Sequence, residues 1–159
     1  MFKQKIHTSE YKYTEMYGLE MSYSQNLYPR LAVDSIILND HNEILLARRS
    51  QWPYVGCWDF PGGHIYVNET IAECQKREVM EELGVEAEPG KLFHVYADKG
   101  QSPKFMDVAV FYFAKINSTD FVKNIEMDDF AFFPLNKLPE KIVYHHDRAL
   151  TDLRKYLNL

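Results

Sequence analysis

Three glutamates, Glu78, Glu81 and Glu82, stand close together in the run Arg77-Glu78-Val79-Met80-Glu81-Glu82-Leu83-Gly84-Val85. At about 100° per residue on a helix, their side chains gather within roughly 100° of one another on one face. Carboxylates grouped in this way repel unless positive charge sits among them. A hard divalent cation such as Mg2+ takes oxygen ligands and suits the cluster. Such a cation lowers the pKa of a water it binds and polarises a phosphoryl oxygen. For an isolated Glu-x-x-Glu-Glu, a solvated acidic helix face is the plainer reading. Here Arg77 adds an i, i+4 pair with Glu81, and Gly62-Gly63 and Glu69 precede the cluster in register.

A helix has to carry that face. Thr70-x-x-Glu73 is a capping-box start, and Gly84 stands where a left-handed stop is expected, so residues 70–83 are predicted to be helical. Ala72, Val79 and Leu83 fall on one stripe, predicted to face the core. Gly62-Gly63 is predicted to be a turn that lets backbone approach a ligand closely, because glycine has no Cβ to clash. Upstream, residues 31–38 and 43–48 read as strands, with hairpin chemistry between them at Asn39-Asp40-His41-Asn42. A loop rich in aromatics follows over residues 49–58. Downstream, residues 91–97, 105–116 and 129–133 read as strands, and residues 98–104 as a polar turn region. Residues 147–157 read as a closing helix with Leu150, Leu153 and Leu157 on one face. Mixed strands with one central and one terminal helix indicate an α/β domain layered α/β/α. That domain is predicted to span residues 29–159. Residues 1–28, polar and tyrosine-rich, are expected to form an extension that packs on the domain, covers an edge or supports a homodimer.

The chain has 159 residues, 46% hydrophobic and 14% aromatic, which suits one globular domain with a core. A net charge of −5 argues against bulk nucleic-acid binding through a basic surface, but not against a small nucleotide held by a local metal. No apolar run approaches the ~20 residues needed to span a bilayer, and no leader pattern opens the sequence. Cys57 and Cys74 form no CxxC pair. Free thiols in a reducing cytosol are the expectation, and with them a cytoplasmic location.

Gly63, five residues, Glu69, seven residues, then Arg77-Glu78-Val79-x-Glu81-Glu82-x-Gly84-Val85 resembles the signature of the Nudix hydrolases. Nine constrained positions over 23 residues are far more specific than a lone GxGxxG. The resemblance implies a Nudix-type α/β/α sandwich with a mixed β-sheet. It implies metal-dependent hydrolysis of a diphosphate bond in a nucleoside di- or triphosphate or a derivative, with Mg2+ as cofactor and Mn2+ as the alternative ion. By the same resemblance, the metal ligands are Glu78, Glu81, Glu82 and the backbone carbonyl of Gly63. Arg77 orients the glutamates and Glu69 orders Arg77. A further acidic residue is expected from a distal loop; Glu126 is the best-placed candidate, with Asp128 and Asp129 as rivals. The general base is left open among the glutamates.

Other residues bear on the substrate. Arg48 and Arg49 end the second strand and are expected either to reach phosphates or to sit exposed. Trp52, Tyr54 and Trp58 line the loop before the glycines. One of the first two is expected to stack on a base, and Trp58 to pack in the core. His64 is expected to contact phosphate or solvent. His145-His146-Asp147, at a helix start, reads as a capping group rather than a second metal site. Residues 49–58 also resemble the matching loop of GDP-mannose hydrolases, so a nucleotide-sugar substrate is the alternative. A non-catalytic nucleotide sensor and a diphosphate isomerase share the fold; the complete glutamate set favours hydrolysis over both.

Overall fold

The computed structural model describes residues 29–97, 107–143 and 146–159. The predicted extension (residues 1–28) and polar turn region (residues 98–104) lie outside the described residues. In chain order the elements are β1 (Arg30–Ile37), β2 (Ile44–Arg49), β3 (Trp58–Asp59), β4 (Gly62–His64), α1 (Ile71–Leu83), β5 (Ala87–Tyr96), β6 (Asp107–Ile116), β7 (Met127–Phe133) and α2 (His146–Tyr156). One sheet has the order β4-β1-β6-β5 and a second the order β3-β2-β7. β1 runs parallel to β6 and antiparallel to β4, so the larger sheet is mixed.

Strand alternation sets the layers. Neighbouring strand residues point to opposite faces. Ile36 and Leu46 join Ala149, Leu150 and Leu153 of α2 in one core. Ile37, Leu45 and Ala47 join Val79 and Leu83 of α1 in the other. The result is the expected α/β/α layering. Each fully buried Leu or Ile contributes about 1.5–3 kcal/mol relative to exposure, so both helices are held chiefly by these apolar faces.

The predicted turn at residues 39–42 forms. Asn39 Oδ1 accepts from the His41 and Glu43 amides, both at 2.9 Å, and Asn42 takes φ 59°. The strands it joins then part: β1 enters the four-stranded sheet and β2 the three-stranded one, with a bridge between Leu38 and Ile44 at their junction. The turn forms locally, but both edges of β1 are taken by β4 and β6, and both edges of β2 by β3 and β7.

α1 carries the expected capping box. Thr70 Oγ1 accepts from the Glu73 amide at 3.3 Å, and the Glu73 carboxylate accepts from the Thr70 amide at 2.8 Å. Such a cap is worth about 1 kcal/mol. Gly84 closes the helix at φ 74°. The buried stripe needs one correction: Ala72 is exposed, and the first turn rests instead on Ile71 and Cys74, packed against Val33 and Val110. Glu78 and Glu82 lie on the buried side of the same helix.

Gly62-Gly63 is not a turn. Both glycines belong to β4, with Gly62 opposite Asp34 and Gly63 opposite Val33 in β1. Positive φ occurs at Gly56 and Gly84 instead. What the pair requires is space. A Cβ on Gly62 would collide with the Val33 carbonyl oxygen and lie 2.8 Å from Asp34 Cα. On Gly63 it would collide with Glu78 Oε1 and lie 2.6 Å from that carboxyl carbon. Among the described residues, no helix is long and apolar enough to cross a membrane.

Candidate functional site

A cavity of about 480 Å³ opens where β4 runs between α1 and β1. One wall is acidic: Glu78, Glu81 and Glu82 from α1, and Glu126 from the loop before β7. The helix face predicted from spacing is therefore turned into a cavity and not into bulk solvent. Glu82 is almost fully buried, and its carboxylate accepts the Gly62 amide at 2.9 Å. Burial pushes its pKa well up, and repulsion from Asp59 and Glu78 adds to this. Burial also raises Glu78, against the opposing pull of Arg77.

Arg77 is the hub of this wall. Its Nε and Nη2 donate to the two oxygens of Glu69 at 2.6 and 2.9 Å. Its Nη1 donates to Glu78 at 2.7 Å and Glu81 at 3.0 Å, and Nη2 also reaches the His64 carbonyl at 3.1 Å. The Tyr66 ring lies against the guanidinium at 3.9 Å. Five donors in a rigid fork allow one side chain to fix three glutamates and a backbone oxygen together. Arg77 holds Glu69 down to about 2.

Glu126 is brought to the wall by a residue the sequence reading passed over. Asn124 Nδ2 donates to the Glu81 and Glu82 carbonyls at 3.1 and 2.8 Å. Its Oδ1 accepts from the Glu126 and Met127 amides at 2.8 and 3.0 Å. The end of α1, which has open carbonyls, is thus tied to the loop that carries Glu126. The rivals Asp128 and Asp129 point elsewhere, to Arg48 at 2.7 and 3.5 Å. Arg48 itself does not line the cavity: it pairs with these aspartates and lies over Trp58 at 5.8 Å. The expected phosphate contact through Arg48 is therefore corrected. Arg48 and Arg49 are strand neighbours, and Arg49 takes the cavity side.

Arg49 serves as a brace. Its Nε donates to the Pro53 carbonyl and its Nη1 to Asp59, each at 3.0 Å. Its backbone pairs with Cys57 at 2.9 Å and with Gly56 at 2.7 Å, so the aromatic loop closes on it. Trp52 and Tyr54 of that loop both line the cavity. Trp52 is 66% exposed. Tyr54 is held at φ 70°, a conformation that side chains other than glycine adopt at a cost of about 1–3 kcal/mol and that clusters at functional sites. Trp58 packs in the core, edge-on to Phe133. His64 lines the cavity 3.4 Å from Asp107, and burial lowers its pKa.

Several cavity residues were missed in the sequence. Asp34 and Asp59 are buried at the inner end, and Arg30 and Asp107 form a two-pronged pair, 2.9 and 3.2 Å, toward the mouth. Burial lifts Asp34 to about 7, partly offset by His146. His146 is the first residue of α2, and His145, part of the expected capping group, lies outside the described residues. His146 is buried, with Nδ1 2.7 Å from Asp59 Oδ1, and this contact raises its pKa against desolvation. For Asp34 the available signal was an aspartate inside a largely apolar strand, Leu31-Ala32-Val33-Asp34-Ser35-Ile36, since charged residues are seldom buried without a role.

The donor set fits a hard cation in chemistry and charge. Four carboxylates line one wall, and Gly63 lines the same cavity, its carbonyl 3.9 Å from the Cys74 thiol. Among the described residues, no three His, Cys, Asp or Glu groups are already drawn into a ready-made cage. Arg77 Nη1 stands between Glu78 and Glu81 and supplies the positive charge there. Glu81, although exposed, is held by Arg77, and Glu126 is exposed on the loop before β7.

Comparison with known proteins agrees with this geometry. The profile of the NUDIX domain matches residues 28–153. An ADP-ribose pyrophosphatase of Methanocaldococcus jannaschii is 31% identical over 136 residues, covering 86% of this chain and 79% of that protein. An 8-oxo-dGTP diphosphatase of Proteus vulgaris is 36% identical over 52 residues, 32% of this chain and 46% of that protein. The crystal structure of a MutT NUDIX hydrolase from Burkholderia pseudomallei superimposes with a TM-score of 0.67 at 29% identity, covering 78% of this chain and 97% of that one.

Proposed function

Because this chain belongs to the NUDIX domain family and is a hydrolase acting on pyrophosphate bonds, we propose that it cleaves the diphosphate of a small purine nucleotide, with Mg2+ as cofactor and Mn2+ as the alternative ion. The relatives named above act on ADP-ribose and on 8-oxo-dGTP. The two substrates share a purine nucleoside carrying at least a diphosphate. The observation that carries the reading is the single cavity that joins four carboxylates to the aromatic loop of Trp52 and Tyr54.

Glu78, Glu81, Glu82 and the Gly63 carbonyl would hold the cation, with Glu126 completing the set. When bound, the cation neutralises phosphate charge and polarises a phosphoryl oxygen. The chain's own residues do the rest. Arg77 fixes the bearing of Glu78 and Glu81, and the Gly62 amide fixes Glu82. One glutamate takes the proton from the attacking water, the water oxygen bonds to one phosphorus, and the bridging P–O bond breaks, so two phosphorylated products leave. His64 stands at the mouth to meet phosphate, and Arg49 keeps the aromatic loop in place. Residues 29–159 form the catalytic unit in this reading, and residues 1–28 an extension upon it. A cytoplasmic setting accords with two free cysteines, of which Cys74 is buried with its thiol pushed up to about 12.

The test is a screen of nucleoside diphosphate derivatives and triphosphates with Mg2+, products identified by mass spectrometry. Release of a purine nucleoside monophosphate from at least one substrate is expected. Hydrolysis confined to substrates without a purine would refute the substrate class.

A further inference from the structure

The apolar contact between α1 and the larger sheet is interrupted at one point. Val33 and Val110 pack with Ile71 and Cys74, and Ile37 and Ala114 pack with Val79 and Leu83. Between these two clusters stands Gln75, fully buried, beside Ser35 and Tyr112, which pair across β1 and β6. Its Nε2 donates to the backbone carbonyls of Tyr112 and Phe113 at 3.3 and 3.4 Å. Gln75 Oε1 and Ser35 Oγ are buried with no hydrogen-bond partner among the described residues. An apolar side chain of the same length would leave no such oxygen unsatisfied. What the amide adds is direction, which apolar burial lacks.

The two carbonyls lie at a flaw in the β5–β6 ladder. Pro89 stands opposite Ala114 and Leu92 opposite Tyr112, so Gly90 and Lys91 together face Phe113. Such a bulge disrupts the ladder locally, and proline has no N–H to give. A Cβ on Gly90 would lie 2.7 Å from the Phe113 carbonyl oxygen, so the bulged strand passes close beside that acceptor. Glu78 and Glu82 follow Gln75 by three and seven residues and share its buried side of α1. Among the described residues, the other polar ties from α1 side chains to the sheet run to β4. Cys74 reaches the Gly63 carbonyl, Arg77 the His64 carbonyl and Glu82 the Gly62 amide. Gln75 ties the helix instead to β6, in the middle of the sheet. A slip of one residue along a helix is about 1.5 Å, and the Glu78 carboxyl already lies against Gly63.

We infer that Gln75 is a positioning residue for the reaction: its amide locks α1 to the β5–β6 bulge and so sets where Glu78 and Glu82 stand along β4. The inference rests on the hydrolase reading of the acidic wall and deepens it. Gln75 does not line the cavity, so it acts through the helix and not on the substrate. A misplacement near 1 Å at the reacting groups costs about 10²-fold in rate, so a shift of part of that distance is read in kcat. Trp52 and Tyr54 stand on another element, so KM is left in place.

The experiment compares full-length Gln75→Met, Gln75→Leu and Ser35→Ala with the wild type. Methionine keeps the length of the side chain and removes the donor. Melting temperature, kcat and KM with Mg2+, and the NMR resonance and hydrogen exchange of the Gly62 amide are measured. That amide donates to Glu82 at 2.9 Å and reports the place of the helix without metal or substrate. In both Gln75 variants kcat should fall at least ~10-fold, with KM within about twofold of the wild type. The Gly62 amide should shift and exchange faster, while the melting temperature stays within a few degrees. Ser35→Ala removes the other unpartnered atom, leaves the amide in place and should match the wild type. Unchanged kcat or an unmoved Gly62 amide in Gln75→Met would overturn the inference. So would a Ser35→Ala enzyme equally slow, or both Gln75 variants unfolded at the assay temperature. A chain that hydrolyses nothing yet shows the shifted amide loses the hydrolase reading and keeps the lock. An active chain with an unmoved amide loses the lock alone.

Discussion

Gly62 and Gly63 are adjacent, yet alanine should do different damage at each. At Gly63 the obstacle is the end of the Glu78 side chain, whose carboxyl carbon would lie 2.6 Å from the new Cβ. Ordinary contact needs about 3.4 Å, so the carboxylate must swing aside by roughly 0.8 Å. A flexible side chain gives way at little cost to the fold. The displaced group, however, belongs to the acidic wall, and a misplacement near 1 Å costs about 10²-fold in rate. At Gly62 the obstacles are backbone: the Val33 carbonyl oxygen and Asp34 Cα. β4 must there shift from β1, and overpacking of this kind costs about 1–3 kcal/mol. Initial rates with Mg2+, together with melting temperatures on both variants, separate the two effects. Gly63→Ala should lose about two decades in kcat with a near-native melting temperature, and Gly62→Ala should melt several degrees lower. A fully active Gly63→Ala, or one as unstable as Gly62→Ala, would refute the reasoning.

Glu82→Gln should lower kcat by at least ~10²-fold with little loss of folding, because a neutral amide cannot supply the anionic oxygen the cation needs, while its carbonyl oxygen can still accept from the Gly62 amide. Glu88→Gln, on exposed strand surface outside the cluster, is the control; equal and small effects would reduce the wall to a surface face. Trp52→Ala should raise KM by ~10-fold or more with kcat nearly unchanged if Trp52 stacks on the base, since stacking is uniform binding. Its 66% exposure predicts no loss of melting temperature, and an unaltered KM would exclude it from recognition. The buried His146–Asp59 pair predicts a pH profile of stability. His146 is raised above 6.5 by Asp59, so its contribution is complete below that value and is lost as pH rises through the folded value. Asp59 is lowered below 3.8, so its contribution is lost only on acidification through its own folded value. Melting temperature should therefore fall from neutral to moderately alkaline pH in the wild type and less steeply in His146→Asn; parallel slopes would show that the pair does not titrate as described. Arg49 and Asp34 face the same pair and remain in both proteins.

The helix was the most legible part of the chain, because its signals are local. Thr70, Glu73 and Gly84 fix both ends by hydrogen bonds that span a few residues. The carboxylate face followed from angular spacing alone. Strand existence was legible from β-branched runs, but pairing was not. β1 and β2 have the local pattern of a hairpin, and which sheet each joins depends on residues about 80 positions downstream, Val108 to Ala114 and Met127 to Phe133. The glycine pair suggests a turn because sequence shows the absent Cβ but not which neighbour needs the space. Arg48 and Arg49 were indistinguishable as residue types; the face each takes in the strand divides them. Asp59 and His146 meet across 87 residues, a distance over which no local pattern carries information.

The acidic wall is expected to work through a divalent cation. The most direct measurement is hydrolysis of the best purine substrate during titration with EDTA and then with Mg2+, in the wild type and in Glu82→Gln. Wild-type turnover should vanish with excess chelator and return with Mg2+, and Glu82→Gln should stay at least ~10²-fold slower at saturating Mg2+. Full turnover in excess EDTA, or a Glu82→Gln enzyme that matches the wild type at every Mg2+ concentration, would contradict it.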